Sequence, residues 1–153
     1  MPDRKLIGKE AEPATITIRA DGIREFAKGV GETNPLYFDT KAAEAAGYKD
    51  IVAPPTYPIA FMAESMNADL FFELDLNIPS IVHAEQEFEF FRPVIAGDVL
   101  AVRGKIADIY EKPGRSGPLD FVVMETTAFD PENKPVYTSR ITLISKRMPK
   151  TED

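Results

Sequence analysis

The pattern of apolar and polar residues divides the chain into a helix-rich first half and a strand-rich second half. Residues 15–19 alternate in polarity and predict a short strand. Asp21 then predicts the N-cap of a helix that ends near Gly29. Asp39 or Thr40 predicts the start of a second short helix, which the next glycine ends.

A long apolar segment follows at residues 56–74, where polar side chains are sparse on every side. Pro54 and Pro55 stand just before it, and proline is tolerated in a first helical turn. We predict one helix here. A helix with so little polar surface must be buried on most sides, so another part of the chain is expected to wrap around it.

Strand-like runs supply that wrapping at residues 81–91, 99–109, 119–129 and 136–146. Short connections between successive strands predict an antiparallel meander. A sheet curled around one long buried helix is the hot-dog architecture, an α+β fold. We expect one such domain over residues 1–153, with its core at about 5–147.

Composition narrows the chemistry. The chain has no cysteine, which excludes disulfides, thiolate nucleophiles and thiol zinc sites. Its one histidine, His83, cannot form a two-histidine metal site within the chain. We expect no metal site and no cofactor.

The charge and the N-terminus bear on partners and location. A net charge of −7 argues against nucleic acid as a partner. The apolar stretch at 51–74 includes two adjacent prolines and several acidic residues, which argues against a membrane span. No apolar stretch follows the charged first residues, so no signal peptide is expected and the protein is predicted to be cytoplasmic.

The loop that follows the first predicted helix carries the most specific pattern. Residues 31–37 read Gly-Glu-Thr-Asn-Pro-Leu-Tyr, and after five further residues comes Ala43. This resembles the active loop of the MaoC-like hydratase/dehydratase family, which reads Gly-Asp-x-Asn-Pro-apolar-His and then reaches a small residue. Further similar stretches, particularly to the N-terminal-domain branch of that family, occur at residues 26–27, 45–48, 52–56, 83–86 and 92–98.

The resemblance implies a hot-dog enzyme that adds water reversibly to an enoyl thioester of coenzyme A or acyl carrier protein. The product is a 3-hydroxyacyl thioester, usually the R isomer. In such a site, an Asp and a His of the loop move the protons of one water molecule. A backbone N–H at the start of the buried helix polarises the thioester carbonyl.

This sequence departs from the family at each of those points. Glu32 stands at the Asp position and Tyr37 at the His position. A phenol has an ordinary pKa of about 10 and is a poor proton shuttle at neutral pH. Pro54-Pro55 replaces His-Gly, and Pro55 has no N–H to offer. Asn34 is retained, and we expect its side chain to bond its own loop backbone, because Asn-Pro is a turn-forming pair.

The candidate catalytic residues are therefore Glu32, Asn34 and Tyr37, at degenerate positions, with His83 as a weaker candidate that would replace the missing loop histidine. For Tyr37 the favoured role is packing near the buried helix, and for His83 it is a structural one. The candidate substrate-binding residues follow the loop, at the start of the predicted helix: Pro54, Pro55, Thr56, Tyr57 and Phe61.

We predict the substrate-binding, non-catalytic half of a 3-hydroxyacyl-thioester dehydratase, or R-specific enoyl-CoA hydratase, similar to the two-subunit mycobacterial fatty-acid dehydratases. Two alternatives stay open: a self-sufficient homodimeric hydratase that uses Glu32 with Tyr37 or His83, and an acyl-thioester-binding module without catalysis. The expected partners are an acyl-CoA or acyl-ACP thioester and a second chain. That chain is either another copy or a catalytic MaoC-like subunit.

Overall fold

The computed structural model describes residues 1–62 and 68–147, which form one antiparallel sheet with helices packed against it. The α-helices are α1 (Ala20–Gly29), α2 (Thr40–Ala45) and α3 (Ala68–Glu73). The strands are β1 (Ala14–Thr17), β2 (Val82–Phe90), β3 (Val99–Gly114), β4 (Gly117–Phe129) and β5 (Pro135–Lys146). Short 3₁₀ helices cover Arg4–Leu6, Pro35–Tyr37, Tyr57–Phe61 and Ile78–Ser80. None of these described helices has the length and apolar content that crossing a bilayer requires.

The strand order is β1-β3-β4-β5-β2, with every neighbouring pair antiparallel. The predicted meander is confirmed for β3, β4 and β5 but is wrong for β2, which pairs with β5 at the far edge. The reason lies in the connection at residues 91–98. Its backbone bonds reach the segment at residues 51–53 and Ile18 rather than a hairpin partner.

The apolar segment at residues 56–74 differs from the single helix that its composition predicts. It begins as the 3₁₀ helix Tyr57–Phe61, and it ends as α3, while residues 63–67 lie outside the described residues. The amide of Tyr57 bonds the carbonyl of Pro54 three residues back, which is a 3₁₀ pattern. Among the described residues of this segment, Tyr57, Leu70 and Leu74 are buried, while Ile59 and Phe72 are exposed.

Two apolar clusters hold the helices on the sheet. The first joins α1 and the 3₁₀ helix Tyr57–Phe61 to the strands through Ile16, Ile23, Ile51, Tyr57, Leu100, Val102, Val136 and Tyr137. The second joins α3 to the middle of the sheet through Leu70, Leu74, Ile106, Ile109, Val122, Met124, Ile141 and Leu143. Both clusters lie on the same side of the sheet, and the opposite side carries mostly polar residues.

The helix starts follow local side-chain bonds. Asp39 is the N-cap of α2 and accepts a hydrogen bond from the amide of Lys41 at 2.8 Å. Asp21 as the N-cap of α1 is wrong, because the helix begins at Ala20 with Arg19 as its N-cap. Asp21 lies instead in the first turn, where the positive end of the helix favours a carboxylate. The adjacent Arg19 guanidinium lowers the pKa of that carboxyl to about 2.

Gly22 of α1 lies against the hydroxyl of Tyr57, and a Cβ at this position would approach that oxygen to 2.8 Å. The Tyr57 ring is held edge-on by Phe26 and Phe61, with centroid distances of 5.3 and 5.2 Å. We expect Gly22→Ala to lower the free energy of unfolding by about 1–2 kcal/mol, although alanine is the better helix former.

In a Tyr57→Phe background the same substitution is expected to stabilise the protein by roughly 0.5–1 kcal/mol, because the hydroxyl is gone and the helix propensity of alanine remains. Urea denaturation of the four proteins in this cycle measures both effects. An equal effect of Gly22→Ala in the two backgrounds would contradict the steric explanation.

Candidate functional site

The loop after α1 is shaped by its own side chains. Gly31 has a φ of +77°, a left-handed conformation that favours glycine. The Asn34 side chain accepts a hydrogen bond from the amide of Leu36 at 3.1 Å and so caps the 3₁₀ helix Pro35–Tyr37. The predicted bond between Asn34 and its loop backbone is confirmed. The result is a fixed short helix that carries Tyr37.

Tyr37 lines a cleft of about 400 Å³. One wall is this loop, a second is the segment that leads into the 3₁₀ helix Tyr57–Phe61, and the third is the end of β2 with the connection after it. Most of the lining is apolar: Leu36, Tyr37, Tyr48, Val52, Ala53, Pro55, Phe90, Phe91, Arg92, Pro93 and Val94. A concave apolar surface with few polar groups is typical of small-molecule sites.

Main-chain hydrogen bonds join the three walls. The amide of Val52 donates to the carbonyl of Leu36 at 3.0 Å, and the amide of Ala53 donates to the carbonyl of Val94 at 2.8 Å. A third bond, from Ala96 to Ile51, measures 3.0 Å. The walls of the cleft are therefore joined to one another through backbone groups.

Tyr37 is partly buried and packs against the first apolar cluster. Burial raises the pKa of its phenol, and the negative charge of Glu32 raises this pKa further. The phenol therefore stays protonated at neutral pH, where it can donate a hydrogen bond but cannot take up a proton. Glu32 is exposed and is not part of the cleft lining.

Arg92 brings a cation to the wall of the cleft. Its guanidinium donates to both carboxylate oxygens of Asp98, at 2.7 and 3.1 Å, and to the carbonyl of Pro93 at 3.0 Å. Asp98 also accepts from the amide of Ile95 at 3.0 Å. This bidentate pair fixes the guanidinium and neutralises much of its charge.

The candidate substrate-binding residues separate into two groups. Pro55 lines the cleft, while Pro54 is fully buried beneath it. Thr56 is exposed, and Tyr57 belongs to the first apolar cluster with Phe61 packed against that cluster. Among the described residues, the structure thus brings Tyr37 and Pro55 together and places Tyr57 and Phe61 outside the cleft lining.

His83 is exposed near the start of β2, opposite Leu143 of β5. Phe90 at the other end of the strand lines the cleft. Phe90 is seven positions along the strand from His83, which is about 23 Å at roughly 3.3 Å per residue. Within this chain, His83 is therefore remote from Tyr37.

Several cleft residues are absent from the sequence-based candidates, above all Tyr48, Phe90 and Phe91. An indication was available in the Phe90-Phe91 pair, which ends an alternating strand just before Arg92-Pro93. In the described part of the chain, no group of three or more His, Cys, Asp or Glu side chains is placed to hold a metal ion.

Tyr137 lies behind the cleft, with its ring 5.9 Å from that of Phe90. Burial raises the pKa of its phenol to about 12. Because the pKa in the folded protein exceeds the ordinary value of about 10, folding favours the neutral phenol. The stability that this preference provides is intact below pH ~10 and is lost as pH rises toward ~12. The full loss is on the order of 2 kcal/mol.

Unfolding free energies of the wild type and Tyr137→Phe between pH ~9 and ~11.5 test this linkage. As pH rises, the unfolding free energy of the wild type is expected to fall relative to that of Tyr137→Phe. A difference that stays constant over this range would contradict it.

Comparisons with known proteins agree with this geometry. The family model described as "FAS1-like, dehydratase domain region" matches residues 5–139. A UPF0336 protein of Saccharopolyspora erythraea is 34% identical over 146 residues, which cover 94% of this chain and 91% of that protein.

Solved structures show the same architecture. The C-terminally truncated HadBC complex, a (3R)-hydroxyacyl-ACP dehydratase from Mycobacterium tuberculosis, matches with a TM-score of 0.76 and 30% identity, covering 88% of this chain and 92% of that chain. A MaoC-like dehydratase matches with a TM-score of 0.80 and 25% identity, covering 92% of this chain and 42% of that chain. The predicted hot-dog fold is confirmed, and the chain belongs to the FAS1-like dehydratase-region family of MaoC-like proteins.

Proposed function

We propose that this chain is the substrate-binding, non-catalytic subunit of a two-subunit 3-hydroxyacyl-thioester dehydratase. One observation carries the proposal. The cleft has the volume and apolar walls that an acyl thioester needs, yet Tyr37 and Pro55 occupy the positions where the resemblance expects a histidine and an N–H donor.

The chemistry of dehydration shows which catalytic groups this chain lacks. Removing water from a 3-hydroxyacyl thioester requires a base for the α-proton and an acid for the departing hydroxyl. The protonated phenol of Tyr37 cannot be that base, since burial and Glu32 raise its pKa. Glu32 lies outside the cleft lining, and His83 lies at the far end of β2. The acid–base pair is therefore assigned to a second chain.

This chain's own contribution is binding. Apolar side chains from all three walls offer a surface for the acyl chain, with Phe91 53% exposed at the rim. The similarity to HadBC, whose name describes a dehydratase complex, supports a two-chain arrangement.

Titration of the purified chain with crotonyl-CoA, alongside an assay for hydration, tests the proposal. We expect saturable binding and no turnover above the uncatalysed rate. Phe91→Ala is expected to weaken binding about fivefold, by removing apolar contact area worth about 1 kcal/mol. Phe72→Ala is the matched control, since Phe72 is 65% exposed and is not part of the cleft lining.

The outcomes separate the alternatives. Turnover by the chain alone would overturn the proposal in favour of a self-sufficient hydratase. Binding with no turnover, even after addition of a catalytic MaoC-like subunit that forms a complex with this chain, would favour a thioester-binding module. If Phe91→Ala and Phe72→Ala changed the affinity for crotonyl-CoA equally, the cleft would not be the binding site.

A further inference from the structure

A second groove adjoins the cleft, and Tyr48 lies between the two. This groove has a volume of about 600 Å³, and it shares Tyr48 and Arg92 with the cleft. We call it the polar groove, because its lining includes the charged residues Lys49, Arg92, Asp98, Asp130 and Glu132. Tyr48 therefore stands at the boundary between an apolar space and a polar one.

The backbone holds Tyr48 at this boundary. Gly47 follows α2 with a φ of +92°, the left-handed conformation in which glycine commonly ends a helix. The amides of Gly47 and Tyr48 donate to the carbonyls of Glu44 and Ala43 at 2.9 and 3.0 Å. The side chain of Ala43 is fully buried, so this end of the helix is anchored in the protein. The position of Tyr48 is thus fixed by its own main chain.

Tyr48 carries an unused hydrogen-bond donor. Among the described residues, the polar side chains that line the cleft are those of Tyr37, Tyr48 and Arg92. The guanidinium of Arg92 is already bonded to Asp98 and to the carbonyl of Pro93. Within residues 1–62 and 68–147, neither phenol takes part in a hydrogen bond. Tyr37 lines only the cleft, so Tyr48 is the phenol that offers its O–H at the boundary.

An acyl thioester changes its chemical character at the carbonyl. The acyl chain on one side is apolar, and the sulfur on the other side leads to an amide-bearing pantetheine arm, which coenzyme A and acyl carrier protein share. A carbonyl that leaves water without gaining a new donor loses binding energy. Pro55 in the wall of the cleft has no N–H to supply. The phenol of Tyr48 is placed to fill this need.

The charges of the polar groove suit an uncharged arm. Arg92 and Asp98 form a bidentate pair, in which each neutralises much of the other's charge. The remaining charged groups of the lining are Lys49 and the carboxylates of Asp130 and Glu132. This balance disfavours phosphate groups and tolerates neutral amides. The groove therefore fits the pantetheine arm better than the nucleotide of coenzyme A.

We propose that the phenol of Tyr48 donates a hydrogen bond to the carbonyl oxygen of a bound acyl thioester, whose acyl chain lies in the cleft and whose pantetheine arm lies in the polar groove. This inference rests on the proposed function and adds the residue that selects thioesters. Tyr48 is a binding residue in this assignment, and it transfers no proton. A ligand without the carbonyl gains nothing from its hydroxyl.

A thioester compared with its thioether tests the assignment. Butyryl-CoA carries the carbonyl, and S-butyl-CoA has a methylene group in its place. We expect Tyr48→Phe to weaken binding of butyryl-CoA about fivefold and to change binding of S-butyl-CoA less than about twofold, measured by isothermal titration calorimetry. Butyryl-pantetheine, which lacks the nucleotide, should show the same loss as butyryl-CoA. The matched control is Tyr110→Phe, which removes a phenol hydroxyl from β3, outside both cavities.

Infrared difference spectra report the hydrogen bond directly, because donation to a carbonyl lowers its stretching frequency. With butyryl-CoA isotope-labelled at the carbonyl carbon, we expect a lower frequency on the wild type than on Tyr48→Phe. Equal frequencies would overturn the assignment. A thioester-specific loss with Tyr37→Phe instead of Tyr48→Phe would also overturn it, as would a loss that butyryl-pantetheine does not show.

The binding data separate this inference from the proposed function. If the wild type does not bind butyryl-CoA at all, the proposed function fails and the role of Tyr48 fails with it. If the wild type binds butyryl-CoA and Tyr48→Phe binds it equally well, only the role assigned to Tyr48 is overturned.

Discussion

A variant that carries Glu32→Asp, Tyr37→His and Pro55→Gly is expected to hydrate crotonyl-CoA at least about a hundredfold faster than the wild-type chain. Histidine has an ordinary pKa near ~6.5 and exchanges protons at neutral pH, unlike the phenol it replaces. Glycine supplies the N–H that proline lacks, so a developing negative charge on the thioester oxygen gains a donor. The rate of double-bond hydration, followed by absorbance, measures the gain.

The matched control carries the same changes at positions 32 and 55 with Tyr37→Phe, so only the proton-transferring group differs. This control is expected to bind crotonyl-CoA and to stay inactive. A histidine variant that is folded and binds the thioester, yet is no faster than the control, would show that the loop does not place residue 37 against the reacting atoms.

Replacing Arg147 by methionine is expected to lower the free energy of unfolding by about 2–4 kcal/mol. Arg147 donates to both oxygens of Asp120, with the Nε contact at 3.2 Å, and it also pairs with Glu111. The Asp120 side chain is only 6% exposed, and its other cationic neighbour, the N-terminal ammonium of Met1, lies 3.6 Å away. Removing the arginine would leave a buried carboxylate poorly compensated, which is costly.

Arg140→Met serves as the control for this second prediction. Arg140 is exposed on the outer face of β5 and takes part in no ion pair among the described residues. Its replacement is expected to change stability by less than about 0.5 kcal/mol. Urea denaturation compares the two variants, and equal losses would contradict the importance assigned to burial of Asp120.

Local patterns predicted the elements better than their arrangement. The alternation of glutamate and phenylalanine at 85–90 predicts a strand, and β2 is there. Its neighbour is β5 because the following connection bonds the segment at residues 51–53 and Ile18. Those bonds join residues far apart in sequence, so no local pattern contains them. The sequence pattern predicts that Asp21 caps α1, whereas Asp21 binds Arg19 within the first turn.

In the candidate site, too, the parts that depend on local bonds are predictable from the sequence and the parts that depend on distant contacts are not. The loop with Tyr37 was found because its shape depends on a bond between Asn34 and Leu36, two residues apart. Its opposite wall comes from Phe90 and Phe91, which enter the cleft only through the sheet and the long connection. The nearness of Tyr57 to Pro55 in sequence predicts that it lies in the site, yet its ring belongs to the apolar cluster.

The backbone bonds that join the walls of the cleft have an evolutionary consequence. The bonds from Val52, Ala53 and Ala96 use only peptide groups, so a substitution at Tyr37 removes none of them. A duplicated gene can therefore lose the chemistry and keep the ligand surface intact. Specialisation of one copy for recognition and the other for chemistry then needs no intermediate with a weakened fold.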